Sequence, residues 1–313
     1  MTRPRFIFTA WYLHQAYLVR LLFLLVCGAT ATNAFGAGGG EEIPFRCKEG
    51  LIWVQVGVPE SAAPLNFLLD TGAGVSVINL RTAQKLGIKL GRKVSVRGVG
   101  STTAGYWPQH LETTTTGWLP NDWLAVDLGV LSGACECQVD GLIGADFFKD
   151  RIVKIDFAAR KIRRLSAMEG LGDTFSVPLR VRRGALLAPI RVDESALKWV
   201  RLDTGCASPL RWVGSGSNRA NRRAEQAVAL TRLSIVVSPT RVQFGPDTFQ
   251  AVPTGFHENE IFPGEAGLLG NGILSRYRSV TVDWKSRRLF LQQAKDMDTA
   301  TTSPEPARDA RTR

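Results

Sequence analysis

The chain has 313 residues, of which 44% are hydrophobic and 21% charged, a balance that excludes wholesale disorder and is long enough for two domains with real cores. With 39 Lys and Arg against 28 Asp and Glu, the formal charge is +11; such a dispersed basic surface is either simply solvated or suited to an anionic membrane or cell-wall polymer. No zinc-finger spacing, RNA-binding aromatic motif or helix-turn-helix pattern accompanies the charge, so no nucleic-acid partner is predicted.

Residues 1–34 read as an export leader. Arg3, Arg5 and Arg20 supply positive charge, residues 17–29 are apolar apart from Arg20, and small residues follow through Thr32-Asn33-Ala34. The uninterrupted apolar core of 21–29 is short for a membrane span, which favours a cleaved signal peptide over a retained N-terminal membrane anchor. The expected location is exported and periplasmic, with N-terminal or peripheral membrane association as the alternative.

After the leader, residues 51–58 have a strand pattern, 59–64 read as a hairpin loop, and 65–69 form a short apolar strand that delivers Asp70 into a turn at Gly72. Residues 80–86, followed by Gly87, suggest one or two helical turns. Val94, Val96 and Val99 alternate with polar residues and glycine, so Gly98 and Gly100 mark a hairpin. Residues 101–108, tipped by Tyr106 and Trp107, are expected to form a loop over that turn; the two aromatics serve either as a flap or as edge or core residues. Residues 113–116 favour a strand by β-branching, 139–144 form a second strand and turn, and 152–157 close the first unit. Residues 166–173 are a short connector, which predicts close packing of what it joins. Beyond it, 186–192 and 198–202 are strands, 214–223 a loop, and 229–252 several short strands with a turn at Gly245-Pro246-Asp247. The polar tail 293–313 is expected to be disordered. Many short strands with little helical periodicity predict an all-β protein.

The chain repeats itself. Asp70-Thr71-Gly72 returns as Asp203-Thr204-Gly205, Gly141-Leu142-Ile143-Gly144 as Gly267-Leu268-Leu269-Gly270, and the segment from Val153 as the segment from Val280. This is one unit of about 120 residues written twice, with one aspartate per copy.

Asp70-Thr71-Gly72-Ala73 together with Gly141-Leu142-Ile143-Gly144 resembles the retropepsin, or retroviral-type, aspartic protease pattern. The resemblance covers 44–165 and, more weakly, 174–292. It implies two β-barrel lobes, as in retropepsins or pepsin, related by a pseudo-twofold axis, a monomer with an intramolecular active site, and catalysis by Asp70 and Asp203. Thr71 and Thr204 would bond across to the opposite loop, Gly72 and Gly205 would allow the sharp turns, and residues 141–144 and 267–270 would pack behind them. Two adjacent carboxyls hold one proton between them. One then takes a proton from water while the other donates to the peptide carbonyl, so the predicted activity is an aspartic endopeptidase acting on extended polypeptides, without cofactor or metal.

The second copy departs from the pattern at Arg201, Cys206 and Pro209, where the first has Leu68, Ala73 and Ser76. Those departures motivate a rival reading, a catalytically inactive peptide- or envelope-binding protein on the same fold. Ala73 lacks the hydroxyl that pepsin-like sites place beside the carboxylate, which implies activity at mildly acidic to neutral pH. Asp146, Asp156 and Asp283 are assigned to turns or surface contacts. Cys47, Cys135, Cys137 and Cys206 follow the leader; Cys135 and Cys137 in one strand would be too far apart to bridge each other, leaving a bond to Cys47 or free thiols.

Overall fold

The computed structural model describes residues 42–98, 102–168, 173–214, 222–228 and 231–294, with backbone alone for 222–228 and 231–234. The leader, Gly100, residues 169–172 of the connector and the tail beyond 294 lie outside the described residues. Among the described residues no helix is long and apolar enough to cross a membrane.

The protein is mostly β-strand. Among the described residues, these strands precede the connector: β1 (Glu42–Lys48), β2 (Leu51–Val56), β3 (Leu65–Leu69), β4 (Val77–Asn79), β5 (Arg92–Arg97), β6 (Thr102–His110), β7 (Asp122–Val126), β8 (Gly141–Ile143), β9 (Ile152–Asp156) and β10 (Lys161–Leu165). After it the described residues form β11 (Thr174–Pro178), β12 (Arg180–Arg182), β13 (Ala185–Val192), β14 (Lys198–Asp203), β15 (Leu210–Val213), β16 (Arg222–Val228), β17 (Thr231–Phe244), β18 (Asp247–His257), β19 (Gly267–Gly270), β20 (Ser279–Asp283) and β21 (Arg288–Gln292).

Pairing order repeats along the chain. In the first stretch the order β2-β3-β8-β4-β7-β6-β5 places β3 parallel to β8 and β4 antiparallel to β8. In the second, β13-β14-β19-β15-β18-β17-β16 places β14 parallel to β19 and β15 antiparallel to β19. The closing segments meet directly: β9 pairs antiparallel with β20, Val153 opposite Val282 and Ile155 opposite Val280. Strand β1 divides its pairing, Glu42 to Pro44 against β10 and Phe45 to Lys48 against β2.

Alternation of side chains explains how β2 and β3 serve two apolar layers. Ile52, Val54, Val56, Phe67 and Leu69 enter the main core. Leu51, Trp53 and Leu68 face a second cluster with Val77, Leu124, Leu128, Val139 and Leu142. The central strands are buried on both faces, which is why their sequences are continuously apolar. Gly141 is required by close approach: a Cβ there would lie 2.5 Å from the Val77 carbonyl oxygen and within the Phe67 ring.

Four local expectations are corrected. Residues 113–116 are not a strand: Thr115 Oγ1 accepts the Gly57 amide at 2.7 Å and the Thr114 amide donates to the Gly57 carbonyl, so long-range bonds to one residue after β2 stand in place of a ladder. Cys135 caps the short helix Gly129–Ala134 and is not in a strand, and Cys47, Cys135, Cys137 and Cys206 are all free thiols. Residues 102–108 belong to β6, paired with β5 and β7, and are not a loop. Residues 231–257 form two long strands, β17 and β18, around the tight turn at Gly245 and Pro246, with a bulge between Thr240 and Val242.

Candidate active site

The two Asp-Thr-Gly triplets come together because each follows a strand held parallel to a glycine-flanked partner. Asp70 leaves β3 with its amide on the Ile143 carbonyl at 2.9 Å, and Asp203 ends β14 opposite Gly270. Each aspartate closes a turn through its own carbonyl, Asp70 to the Ala73 amide and Asp203 to the Cys206 amide, both at 3.1 Å.

A reciprocal network ties the turns together. The Thr71 amide donates to Thr204 Oγ1 at 3.0 Å and the Thr204 amide to Thr71 Oγ1 at 3.1 Å. Each hydroxyl then donates onward, Thr71 to the Leu202 carbonyl at 2.9 Å and Thr204 to the Leu69 carbonyl at 2.7 Å. Both threonines are 2% exposed, so these bonds have no competition from water.

Gly72 and Gly205 are needed for space. A Cβ on Gly72 would stand 2.5 Å from Asp203 Oδ1, and one on Gly205 the same distance from Asp70 Oδ1. Each carboxyl therefore lies against the opposite triplet, within hydrogen-bond reach of the other.

The two carboxyls differ. Asp70 Oδ1 accepts the amides of Gly72 at 2.9 Å and Ala73 at 3.2 Å, whereas Asp203 Oδ1 accepts the Gly205 amide alone, at 3.0 Å. Amide donors favour the ionised form, so the negative charge is better held on Asp70. Burial, then the Asp70 charge and the bond to Asp70, push Asp203 up to about 8. Burial also raises Asp70, against the bond from Asp203, the two amides and the Arg201 charge. The two carboxyls titrate as one coupled pair, and the extra amide on Asp70 biases the negative charge toward it.

The predicted support residues surround this centre. Leu142, Ile143, Leu268 and Leu269 are buried. The Gly144 amide donates to Ser76 Oγ at 2.9 Å and the Ala145 amide to the Ala73 carbonyl at 2.8 Å. Around the second triplet the Gly270 amide donates to the Pro209 carbonyl and the Asn271 amide to the Cys206 carbonyl. Cys206 is buried, its Sγ 3.4 Å from the donating Arg211 Nε, and burial pushes its thiol up.

Both aspartates open on a cleft of about 960 Å³ that Val96, Arg97 and Gly98 line from the β5–β6 hairpin. Tyr106 and Trp107 do not line it. They stand opposite Lys93 and Arg92, away from the hairpin tip, and pack on the two apolar clusters. Among the described residues no group of three or more His, Cys, Asp or Glu side chains could hold a metal ion.

Sequence reasoning missed three contacts. Arg201, buried beneath the cleft, forms a two-pronged pair with Glu265 at 2.7 and 2.8 Å, lies 3.5 Å over the Phe262 ring, and donates to the Gly72 carbonyl at 2.7 Å. Its interruption of an apolar run was the available signal, but nothing local marks Glu265. Asn271 Nδ2 donates to the Thr204 carbonyl at 2.7 Å and to the Gly50 carbonyl at 2.9 Å. Asp146 is no surface contact: it accepts Ser76 Oγ at 2.7 Å and the Ser76 amide at 2.9 Å. Asp156 and Asp283 do serve turns, accepting the amides of Ala159 and of Lys285 and Ser286.

No curated protein matches the chain. Residues 54–147, which include Asp70 and the 141–144 segment but not Asp203, match the family model described as aspartyl protease, and this supports a retropepsin-like aspartyl protease domain over that stretch.

Proposed function

We propose that the protein is an exported aspartic endopeptidase in which two tandem retropepsin-like units, related by an approximate twofold axis, contribute Asp70 and Asp203 to one intramolecular site. One observation carries the reading: two carboxyls from matching turns lie within hydrogen-bond reach, cross-tied by Thr71 and Thr204 and open to a cleft. The family match of 54–147 supports the same chemistry for the first unit.

In this reading Asp70, the better-stabilised anion, takes a proton from a bound water as the water oxygen attacks the peptide carbonyl carbon. The Asp203 proton passes to the carbonyl oxygen, giving a tetrahedral diol. Collapse of the diol breaks the C–N bond as the departing nitrogen receives a proton from Asp70, and a diol hydroxyl returns its proton to Asp203. An extended polypeptide suits the cleft, because sheet-like backbone bonding leaves alternate side chains for pockets. Gly98, with Val96 and Arg97 beside it, is proposed to close over it.

The test is incubation of the mature protein with unstructured polypeptides from about pH 3 to about 8, with products identified by mass spectrometry. Internal cleavage, blocked by a peptide carrying a tetrahedral hydroxyl at the scissile position, supports the reading. Binding of peptides without any cleavage favours the inactive peptide-binding alternative.

A further inference from the structure

Matching cross-strand positions on the two sides of the cleft carry opposite chemistry. In the first copy Leu68 on β3 and Val77 on β4 both stand opposite Leu142 on β8. In the second copy Arg201 on β14 and Arg211 on β15 both stand opposite Leu268 on β19. All six line the cleft. An aliphatic triplet on one side thus corresponds to Arg-Leu-Arg on the other.

The rim repeats the contrast. Two-residue hairpins, Glu49-Gly50 and Arg183-Gly184, join β1 to β2 and β12 to β13, with left-handed φ at all four residues (54°, 74°, 49° and 80°). They occupy equivalent places. A Cβ on Gly50 would meet Ala207, four residues past Asp203, and one on Gly184 would meet Gly74, four past Asp70. Glu49 and Arg183 are both exposed and both line the cleft, so matching turns present opposite charges to it. Arg183 takes part in none of the ion pairs of the described residues. Arg201 is held by Glu265 and Phe262 and Arg211 donates to Cys206 Sγ, so both shape the floor, while the exposed Arg183 stands at the mouth as the selector.

We infer that the cleft is chemically one-sided: the first copy's compartment takes an apolar side chain, and the second copy's, bounded by Arg183, Arg201 and Arg211, takes a carboxylate-bearing side chain across the scissile bond. This rests on the endopeptidase reading for the scissile bond but not for the binding preference. A cation at the mouth favours an acidic partner and disfavours a basic one, an effect screened by salt.

The test uses peptides with Leu on one side of the candidate bond and Asp, Glu, Gln, Lys or Leu on the other, in both orders. Cleavage is measured, and binding of the same peptides with a reduced amide at that bond is followed by fluorescence anisotropy. In one order Asp and Glu are expected to exceed Lys in both readouts. In Arg183→Glu, whose turn conformation Glu49 already shows a glutamate adopting, that ratio falls at least about fivefold. Cleavage and binding indifferent to charge, or a ratio unchanged in Arg183→Glu, overturn the one-sided cleft while leaving the peptidase reading intact. Preferential binding of Asp peptides without cleavage supports the cationic compartment and removes the peptidase reading.

Discussion

Thr71 and Thr204 each accept the other's backbone amide through the side-chain hydroxyl, at 3.1 and 3.0 Å. Since the Thr71 hydroxyl also donates to the Leu202 carbonyl and the Thr204 hydroxyl to the Leu69 carbonyl, replacing either with alanine removes the partner of a buried amide and of a buried carbonyl. Thr71→Ala or Thr204→Ala should cost about 2 to 5 kcal/mol in chemical denaturation. Serine at either position keeps the hydroxyl and should cost no more than about 1.5 kcal/mol.

The raised carboxyl of Asp203 has two pH consequences. Its value of about 8 places the loss of the dyad's proton at the alkaline side of neutrality, so kcat/KM should fall as pH rises through about 8. For stability, a folded value above the ordinary 3.8 means that the folded chain keeps a proton the unfolded chain releases. That contribution is full below 3.8 and is lost as pH rises through about 8. Asp203→Asn cannot titrate; its melting temperature relative to the original protein should therefore climb between about pH 4 and pH 8.

Arg201 and Glu265 occupy the places of Leu68 and Val139 in the first copy. Glu265→Gln strands a buried guanidinium and should destabilise by about 3 to 5 kcal/mol. Rewriting both positions in the first copy's terms, Arg201→Leu with Glu265→Val, removes the two charges together and should recover most of that loss. Equilibrium unfolding of the single and double variants checks the pair.

Ser76 and Asp146 in the first copy correspond to Pro209 and Gly272 in the second. Proline removes the amide that would bond a carboxylate, and Gly272 leaves the space proline needs: a Cβ there would stand 2.6 Å from Pro209 Cγ and 2.7 Å from its nitrogen. Gly272→Ala should destabilise by about 1 to 3 kcal/mol through this overpacking, measured by denaturation.

Local signals carried far in this chain. The apolar runs before each aspartate, the paired glycine-flanked segments and the turn at Gly245 and Pro246 all correspond to observed elements, because short-range pattern and turn chemistry decide them. What depends on separation was not legible. Arg201 stood out as a charge in an apolar strand, yet its partner lies 64 residues away. The β9–β20 pairing joins segments whose likeness was visible but whose contact was not. Residues 113–116 had strand composition, and their hydroxyls supplied a competing set of bonds. Tyr106 and Trp107 were near the right hairpin in sequence, but strand register moved them from its tip.

Peptide hydrolysis by Asp70→Asn and Asp203→Asn, each compared with the original protein at its optimum pH and confirmed folded, tests the shared-proton dyad most directly. Both single substitutions should lower kcat by at least about a thousandfold, since neither carboxyl can serve as base and acid alone. Undiminished turnover in either variant contradicts the dyad.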